Sequence, residues 1–156
     1  EKVDKDHHDH FLNGTIFKVK ELNNGQITYL ASGQLLIKGN GVNEEYEISK
    51  DENFENIVKV AKTDNFKEII LDIDDGVYYS RKINDDKVTK HIIKDGKAIL
   101  PDAIYSHSYE FSEIKAPTSY HKADKSMTYI VIANKDTDTV IFKFENKRIE
   151  LPNTGV

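Results

Sequence analysis

Gly14-Thr-Ile-Phe-Lys-Val-Lys-Glu-Leu22, followed by Asn23-Asn24-Gly25 and then Gln26-Ile-Thr-Tyr-Leu-Ala31, is the stretch on which the fold turns. Phe17 and Val19 fall on one side of an extended chain, and Lys18 and Lys20 on the other. That is the period of two of a half-buried strand. Asn24-Gly25 is a tight-turn dipeptide, since Asn and Gly accept the left-handed backbone that short hairpins need. Residues 26–31 are therefore expected to return beside 14–22. Working outward, 35–37 and 46–48 read as short strands. Residues 66–72 and 77–83 flank Asp74-Asp75-Gly76, and 88–93 and 97–100 flank Asp95-Gly96, two further hairpin signals. Residues 104–114, 127–133 and 139–147 complete the strands. One segment departs from this pattern. Phe54, Ile57, Val58 and Ala61 stand at i, i+3, i+4 and i+7, and Ser49 and Glu52 have capping-box spacing, which predicts a helix at about 51–62. The expected class is mainly β, a β-sandwich with one inserted helix.

Length and composition narrow the functions. The 156 residues fit one domain, and 38% hydrophobic content supplies a core. With 22 basic and 27 acidic residues the net charge is -5, and no basic block offers itself to nucleic acid. No apolar run is long enough for a membrane helix. Cysteine is absent, which excludes disulfides, thiolate metal sites and thiol catalysis. Asp6-His-His-Asp-His10 carries ligand-type side chains but falls where a solvated loop between the first two strands is expected, so no metal is assigned. Asp72-Ile-Asp-Asp-Gly76 mimics the start of a calcium loop, yet its twelfth position is Ile83 instead of Glu. No phosphate loop, dinucleotide fingerprint or Ser/His/Asp arrangement is present, and no cofactor is expected. The eight tyrosines, Tyr78 and Tyr79 among them, are expected to pack across strands.

Leu151-Pro152-Asn153-Thr154-Gly155 is the most specific string in the chain. It resembles the LPxTG sorting signal of Gram-positive surface proteins, which a sortase cuts between Thr and Gly and joins through the Thr to a cell-wall amine. Pro152 favours the extended backbone that a processing enzyme needs. The chain is expected to belong to a longer protein, with 1–150 as the folded domain and 151–156 as its tail. Lys2-Val-Asp4 with Asn13-Gly-Thr-Ile-Phe17 resembles the opening of Cna protein B-type domains, also called prealbumin-like or reverse-immunoglobulin domains. Tyr109-Glu-Phe-Ser-Glu-Ile-Lys-Ala-Pro-Thr-Ser-Tyr120 resembles their E-box, with Ser119 where the family favours Gly. Val140-Ile-Phe-Lys-Phe-Glu-Asn146 resembles their last strand. The resemblance covers about the first 30 and last 55 residues, which leaves about 31–100 as an insertion.

What the resemblance implies is an intramolecular isopeptide bond between Lys2 and Asn146, with Glu113 as catalytic acid/base. Lys5 is the alternative nucleophile. The residue pattern is compatible, since Tyr109, Phe111 and Glu113 share one strand face, and Val140, Phe142, Phe144 and Asn146 share another. Burial favours a neutral lysine amine, which is a nucleophile, and a protonated glutamate, which can polarise a carboxamide and shuttle protons. Phe17, Val19, Phe111, Val140, Phe142 and Phe144 are the expected core. The expected function is that of a secreted, cell-wall-anchored surface domain, an adhesin stalk or pilus subunit, and no turnover enzyme. Its expected partners are a sortase and peptidoglycan or a neighbouring pilin. The alternative is a module that binds a host protein or glycan through the insertion.

Overall fold

The structure, a computed structural model, describes residues 2–4, 7–117, 128–134, 138–142 and 144–146, with side chains for 12–117 and 128–134. Among these residues the chain forms fifteen strands and no helix. In order they are β1 (Lys2–Asp4), β2 (His7–Phe11), β3 (Ile16–Glu21), β4 (Ile27–Ala31), β5 (Gln34–Lys38), β6 (Glu45–Ser49), β7 (Ile57–Lys62), β8 (Glu68–Asp72), β9 (Gly76–Lys82), β10 (Thr89–Ile93), β11 (Ala98–Ala103), β12 (Ser108–Lys115), β13 (Thr128–Ile132), β14 (Asp138–Phe142) and β15 (Phe144–Asn146). The molecule is a β-sandwich whose larger sheet has the order β13-β12-β3-β4-β5-β8. The remaining strands form a four-stranded sheet, β10-β9-β6-β7, a pair β11-β14, and a three-stranded sheet β15-β1-β2.

The opening hairpin is as expected. β3 and β4 pair antiparallel, Phe17 opposite Leu30 and Val19 opposite Thr28, across the Asn24-Gly25 turn, where Gly25 takes φ +75°. β12 flanks β3 on the other side, with Phe111 opposite Val19 and Glu113 opposite Phe17. Phe17, Val19, Tyr109 and Phe111 are buried on one face of this sheet and meet Ala98, Leu100 and Ala103 of β11. The rings of Phe17 and Phe111 meet edge to face, with centroids 6.5 Å apart. Three of the six expected core residues thus form the centre of the sandwich, and the side chains of Val140, Phe142 and Phe144 lie outside the described set.

A second core sits beside the first. Leu35 and Ile37 of β5 and Ile69 of β8 pack against Ile48 of β6, Tyr78 of β9 and Ile93 of β10. Residues 34–93 therefore form a layered unit, two strands facing four. Only one register pair, Ala31 with Gln34, joins β4 to β5.

Two expectations are corrected in this unit. The helix at about 51–62 is absent: residues 50–56 form a loop and Ile57–Lys62 is strand β7, antiparallel to β6. The Asp51 carboxylate accepts bonds from the N–H groups of Asn53, Glu55 and Asn56 at 3.2, 3.1 and 2.8 Å, which folds the chain into a turn. These bonds hold the Asp51 carboxyl below its ordinary range, the Glu55 N–H foremost. Phe54 closes the loop at φ +57°, buried beneath the Arg81 guanidinium, 4.0 Å from its ring. Beyond it Ile57, Val58 and Val60 are β-branched and prefer strand. The second correction concerns Asp74-Asp75-Gly76, which closes no hairpin. β8 pairs with β5, and β9 with β6 and β10, so the segment crosses from one layer to the other. A polar turn sequence fits either role, and the apolar inner faces of β8 and β9 gain more by facing each other than by pairing edge to edge. Tyr78 is buried, its hydroxyl donating to the Asp74 carbonyl at 2.9 Å. Residues 7–11, expected as loop, are strand β2, paired with β1.

The two units meet at Asn13. Its carboxamide oxygen accepts from the Gly96 N–H at 2.8 Å, and its nitrogen donates to Asp95 at 2.7 Å. The Gly33 N–H bonds the Lys97 carbonyl at 2.9 Å. Ser32 Oγ donates to the Leu12 carbonyl and accepts from the Thr15 N–H. The β4–β5 turn, the β10–β11 turn and the approach to β3 are thereby fastened together. Gly33 has φ +65°, and a Cβ there would overlap the Asn13 carboxamide. Gly33→Ala is expected to destabilise the fold by more than about 1 kcal/mol, from left-handed strain and the displaced carboxamide, read as a lower midpoint in urea. His91 gives a second test. Its Nε2 lies 2.7 Å from Ser80 Oγ, and burial pushes the imidazole down to about 4. The folded state therefore favours the neutral ring. This stability is complete above pH 6.5 and is lost as pH falls toward about 4, at most about 3 kcal/mol. Wild type should lose more stability than His91→Gln across that window in urea melts at fixed pH values.

Candidate cross-link site and a buried carboxylate pocket

β1 and β15 are hydrogen-bonded neighbours running parallel, with Lys2 opposite Phe144, Val3 opposite Glu145 and Asp4 opposite Asn146. Lys2 and Asn146 thus stand two register positions apart on adjacent strands. Glu113 belongs to the six-stranded sheet. It is buried in phase with Tyr109 and Phe111, as the alternation of β12 requires, while Ile114 beside it is 43% exposed. The register of β12 shifts between Glu113 and Lys115, where β3 goes directly from Phe17 to Ile16. The structure thus brings two of the three expected cross-link residues onto neighbouring strands and buries the third in the sandwich. Lys5 and the motif Leu151, Pro152, Asn153, Thr154 and Gly155 lie outside the described residues.

At the opposite end of β3 and β12 lies a second buried carboxylate. Glu21 pairs in register with Tyr109 and is 6% exposed. Its Oε1 lies 2.8 Å from His107 Nδ1 and accepts from the Tyr109 hydroxyl at 3.1 Å. That hydroxyl also accepts from the Ile104 N–H at 2.8 Å. Desolvation pushes the Tyr109 hydroxyl above its ordinary range; the bond to Glu21 and its charge act the same way, and the Ile104 N–H opposes them. Glu21 Oε2 is buried and has no hydrogen-bond partner among the described residues. Glu21 also lines a cavity of about 150 Å³ between β3, β4 and β11, together with Val19, Leu100, Ala103, Gln26 and Thr28, although Oε2 itself has no surface open to it. β11 is bulged here. Between Leu100 and Ala103 it advances three residues while β14 advances two, from Val140 to Asp138. The bulge holds Asp102 at φ +56°, 3.6 Å from the Lys90 ammonium.

Glu21 and His107 are not among the site residues expected from sequence, although Glu21 carries the same signal as Glu113. It follows Phe17 and Val19 at steps of two, so it extends an apolar row toward the core. The adjacent turn and the flanking Lys20 give it the look of a solvated strand end. Among the described residues no three His, Cys, Asp or Glu side chains converge as a metal site, and no helix is long and apolar enough to cross a membrane. No protein-family model, no curated protein and no solved structure matches the chain.

Tyr109→Phe would keep the buried ring but strand the Ile104 N–H and remove a donor from Glu21. The expected cost is about 1–3 kcal/mol, seen as a lower urea midpoint with an unchanged far-ultraviolet spectrum.

Proposed function

We propose that this chain is a cell-wall-anchored surface module of a Gram-positive bacterium, an adhesin stalk or pilus subunit of Cna protein B type. In this reading it is held closed by an amide bond between Lys2 and Asn146 and attached through Thr154 by a sortase. The observation that carries the reading is the parallel pairing of β1 with β15, which sets Lys2 two register positions from Asn146. The sequence Leu151 to Gly155 shortly after this last strand supports the anchoring, and the buried position of Glu113 supports its role as acid/base.

The chemistry is a single event per molecule. The neutral Lys2 amine attacks the Asn146 carboxamide carbon. Glu113 hydrogen-bonds the carboxamide oxygen, takes the proton released by the amine and delivers it to the leaving nitrogen. A C–N bond forms, a C–N bond breaks, and ammonia departs. Closing a loop of this length contributes roughly 5 kcal/mol by the loop-entropy relation used for disulfides. A surface protein without cysteine gains from such a tie.

A second reading, binding of a host protein or glycan through residues 31–100, draws on a different observation. Val42, Ile57, Val58, Val60 and Val77 of that unit are exposed, and Phe66 is 75% exposed. Apolar surface of this kind is common at interaction sites.

Intact mass spectrometry tests the leading reading. The wild-type mass should fall one ammonia below the sequence mass, and Glu113→Ala should restore the full mass and lower the melting temperature. Full sequence mass in a folded wild type overturns the cross-link. Loss that survives Lys2→Ala but not Lys5→Ala transfers the nucleophile to Lys5. Incubating a fusion bearing residues 147–156 with a sortase and a glycine nucleophile tests the anchor independently, and an uncleaved tail beside a cleaved control substrate overturns it.

A further inference from the structure

We infer that β13 is a self-association edge, along which two copies of this chain pair β13 antiparallel to β13 and merge their larger sheets into one. β13 ends the six-stranded sheet, and among the described residues β12 is its only hydrogen-bonded neighbour. A strand at a sheet edge offers backbone N–H and C=O groups to any chain that matches them, and proteins commonly blunt such edges with charged side chains. The other sheet ends carry such residues. Glu68 and Asp72 stand in β8, Lys59 and Lys62 in β7, and Lys90 in β10. Asp9 stands in β2 and Glu145 in β15, while β11 and β14 hold Asp102 and Asp138. Of the fifteen described strands only β4 and β13 contain no charged residue, and β4 is enclosed between β3 and β5. β13, Thr-Tyr-Ile-Val-Ile, is therefore the one uncharged edge among the described strands.

Its side chains stand in solvent on both faces. Ile130 is 61% exposed and Ile132 56%, two steps apart on one face, and Tyr129 on the other face is 42% exposed. Val131 packs against the first core and anchors the strand to the sandwich. The charge pattern selects the occupant. A two-fold pairing centred on Ile130 sets that residue opposite its own copy, Thr128 opposite Ile132 and Tyr129 opposite Val131, so no like charges meet. Glu110 neighbours Ile130 on β12, with Lys20 opposite it on β3. In the pair the two Glu110 carboxylates lie three strand spacings apart, about 14 Å. That exceeds the screening length of about 8 Å at physiological ionic strength. The chain itself supplies the matching strand, uncharged, exposed and β-branched at Ile130, Val131 and Ile132. Five residues a side is small against the roughly 800 Å² per partner of a standard interface, so the pairing is reversible and needs high concentration.

Sedimentation equilibrium of the full chain at rising concentration tests this, and no readout depends on the cross-link or the anchor. The average mass is expected to climb from 17.9 kDa toward twice that value as the concentration approaches millimolar. Ile130→Lys, at an exposed position, should hold the mass at the monomer value and leave the urea midpoint in place. Val60→Lys, on the edge strand β7 and 54% exposed, should associate as wild type does. A covalent trap reads the register. Directly opposed Cα atoms of an antiparallel pair lie about 4.5–5.5 Å apart, within disulfide range. In a chain without cysteine, Ile130→Cys should therefore oxidise to a disulfide-linked dimer, and Phe66→Cys, 75% exposed, should do so far more slowly. A wild type that stays monomeric throughout overturns the inference. If Ile130→Lys then also lowers the urea midpoint, a segment of the same chain covers the edge, and if it does not, the edge stays bare. Association that persists in Ile130→Lys belongs to another surface and overturns the inference too, as does equal trapping of the two cysteine variants.

Discussion

The Asn13 carboxamide, shared between the two glycine turns at Gly33 and Gly96, is the constraint on which the rest of the architecture depends. One short side chain spans 83 residues of sequence to bond the Gly96 N–H. Through it the chain can depart from the first core after β4, build six strands around a second core, and return at nearly the same point. The six-stranded sheet is continuous, but its β4–β5 seam is a single register pair. The seam holds because the backbone bond from Gly33 to Lys97 and the Ser32 hydroxyl clamp both ends of the excursion. Exposed turns whose ends lie together are where an inserted unit costs the parent fold least.

Much of this fold is legible in the residues. Alternation in 14–22 and 104–114 places Phe17, Val19 and Phe111 inside, and Asn24-Gly25 closes its hairpin, whereas Asp95-Gly96 closes only the Lys94–Lys97 bridge before β10 and β11 part to different sheets. The failures share a cause. Phe54, Ile57, Val58 and Ala61 satisfy a helical period, yet a stripe of four residues arises by chance in any segment dense in Ile and Val. Local bonds to Asp51 and the β-branched side chains decide the outcome. Asp74-Asp75-Gly76 is a turn signal that says the chain bends and nothing about where it goes next. Which strands pair across it is set by two apolar faces that must meet, a non-local fact absent from any short window. Strand β2 is hidden in the sequence because Asp6-His-His-Asp-His10 has no alternating apolar row to betray it.

The candidate sites follow the same division. A charged residue that continues an apolar row at steps of two is a burial signal, and Glu113 is buried as that signal requires. Glu21 carries the identical signal, and only its nearness to a turn disguises it. What no local reading could supply is the bulge in β11 and the cavity it opens, since both depend on strands brought together from far apart in the chain. Two buried carboxylates on one sheet, in the same phase and at opposite ends of β3 and β12, are thus products of one rule applied twice.

The parallel sense of β1 and β15 carries a mechanical consequence. Parallel neighbours leave their pairing at opposite ends, so a pull on the two chain ends drags one strand lengthwise along the other. All the hydrogen bonds between them then share the load at once, where an antiparallel hairpin pulled at its open end would unzip rung by rung. The direction in which these two short strands run, independent of any covalent tie, therefore makes rupture at this seam a collective event, with a force threshold set by the whole ladder instead of its weakest member.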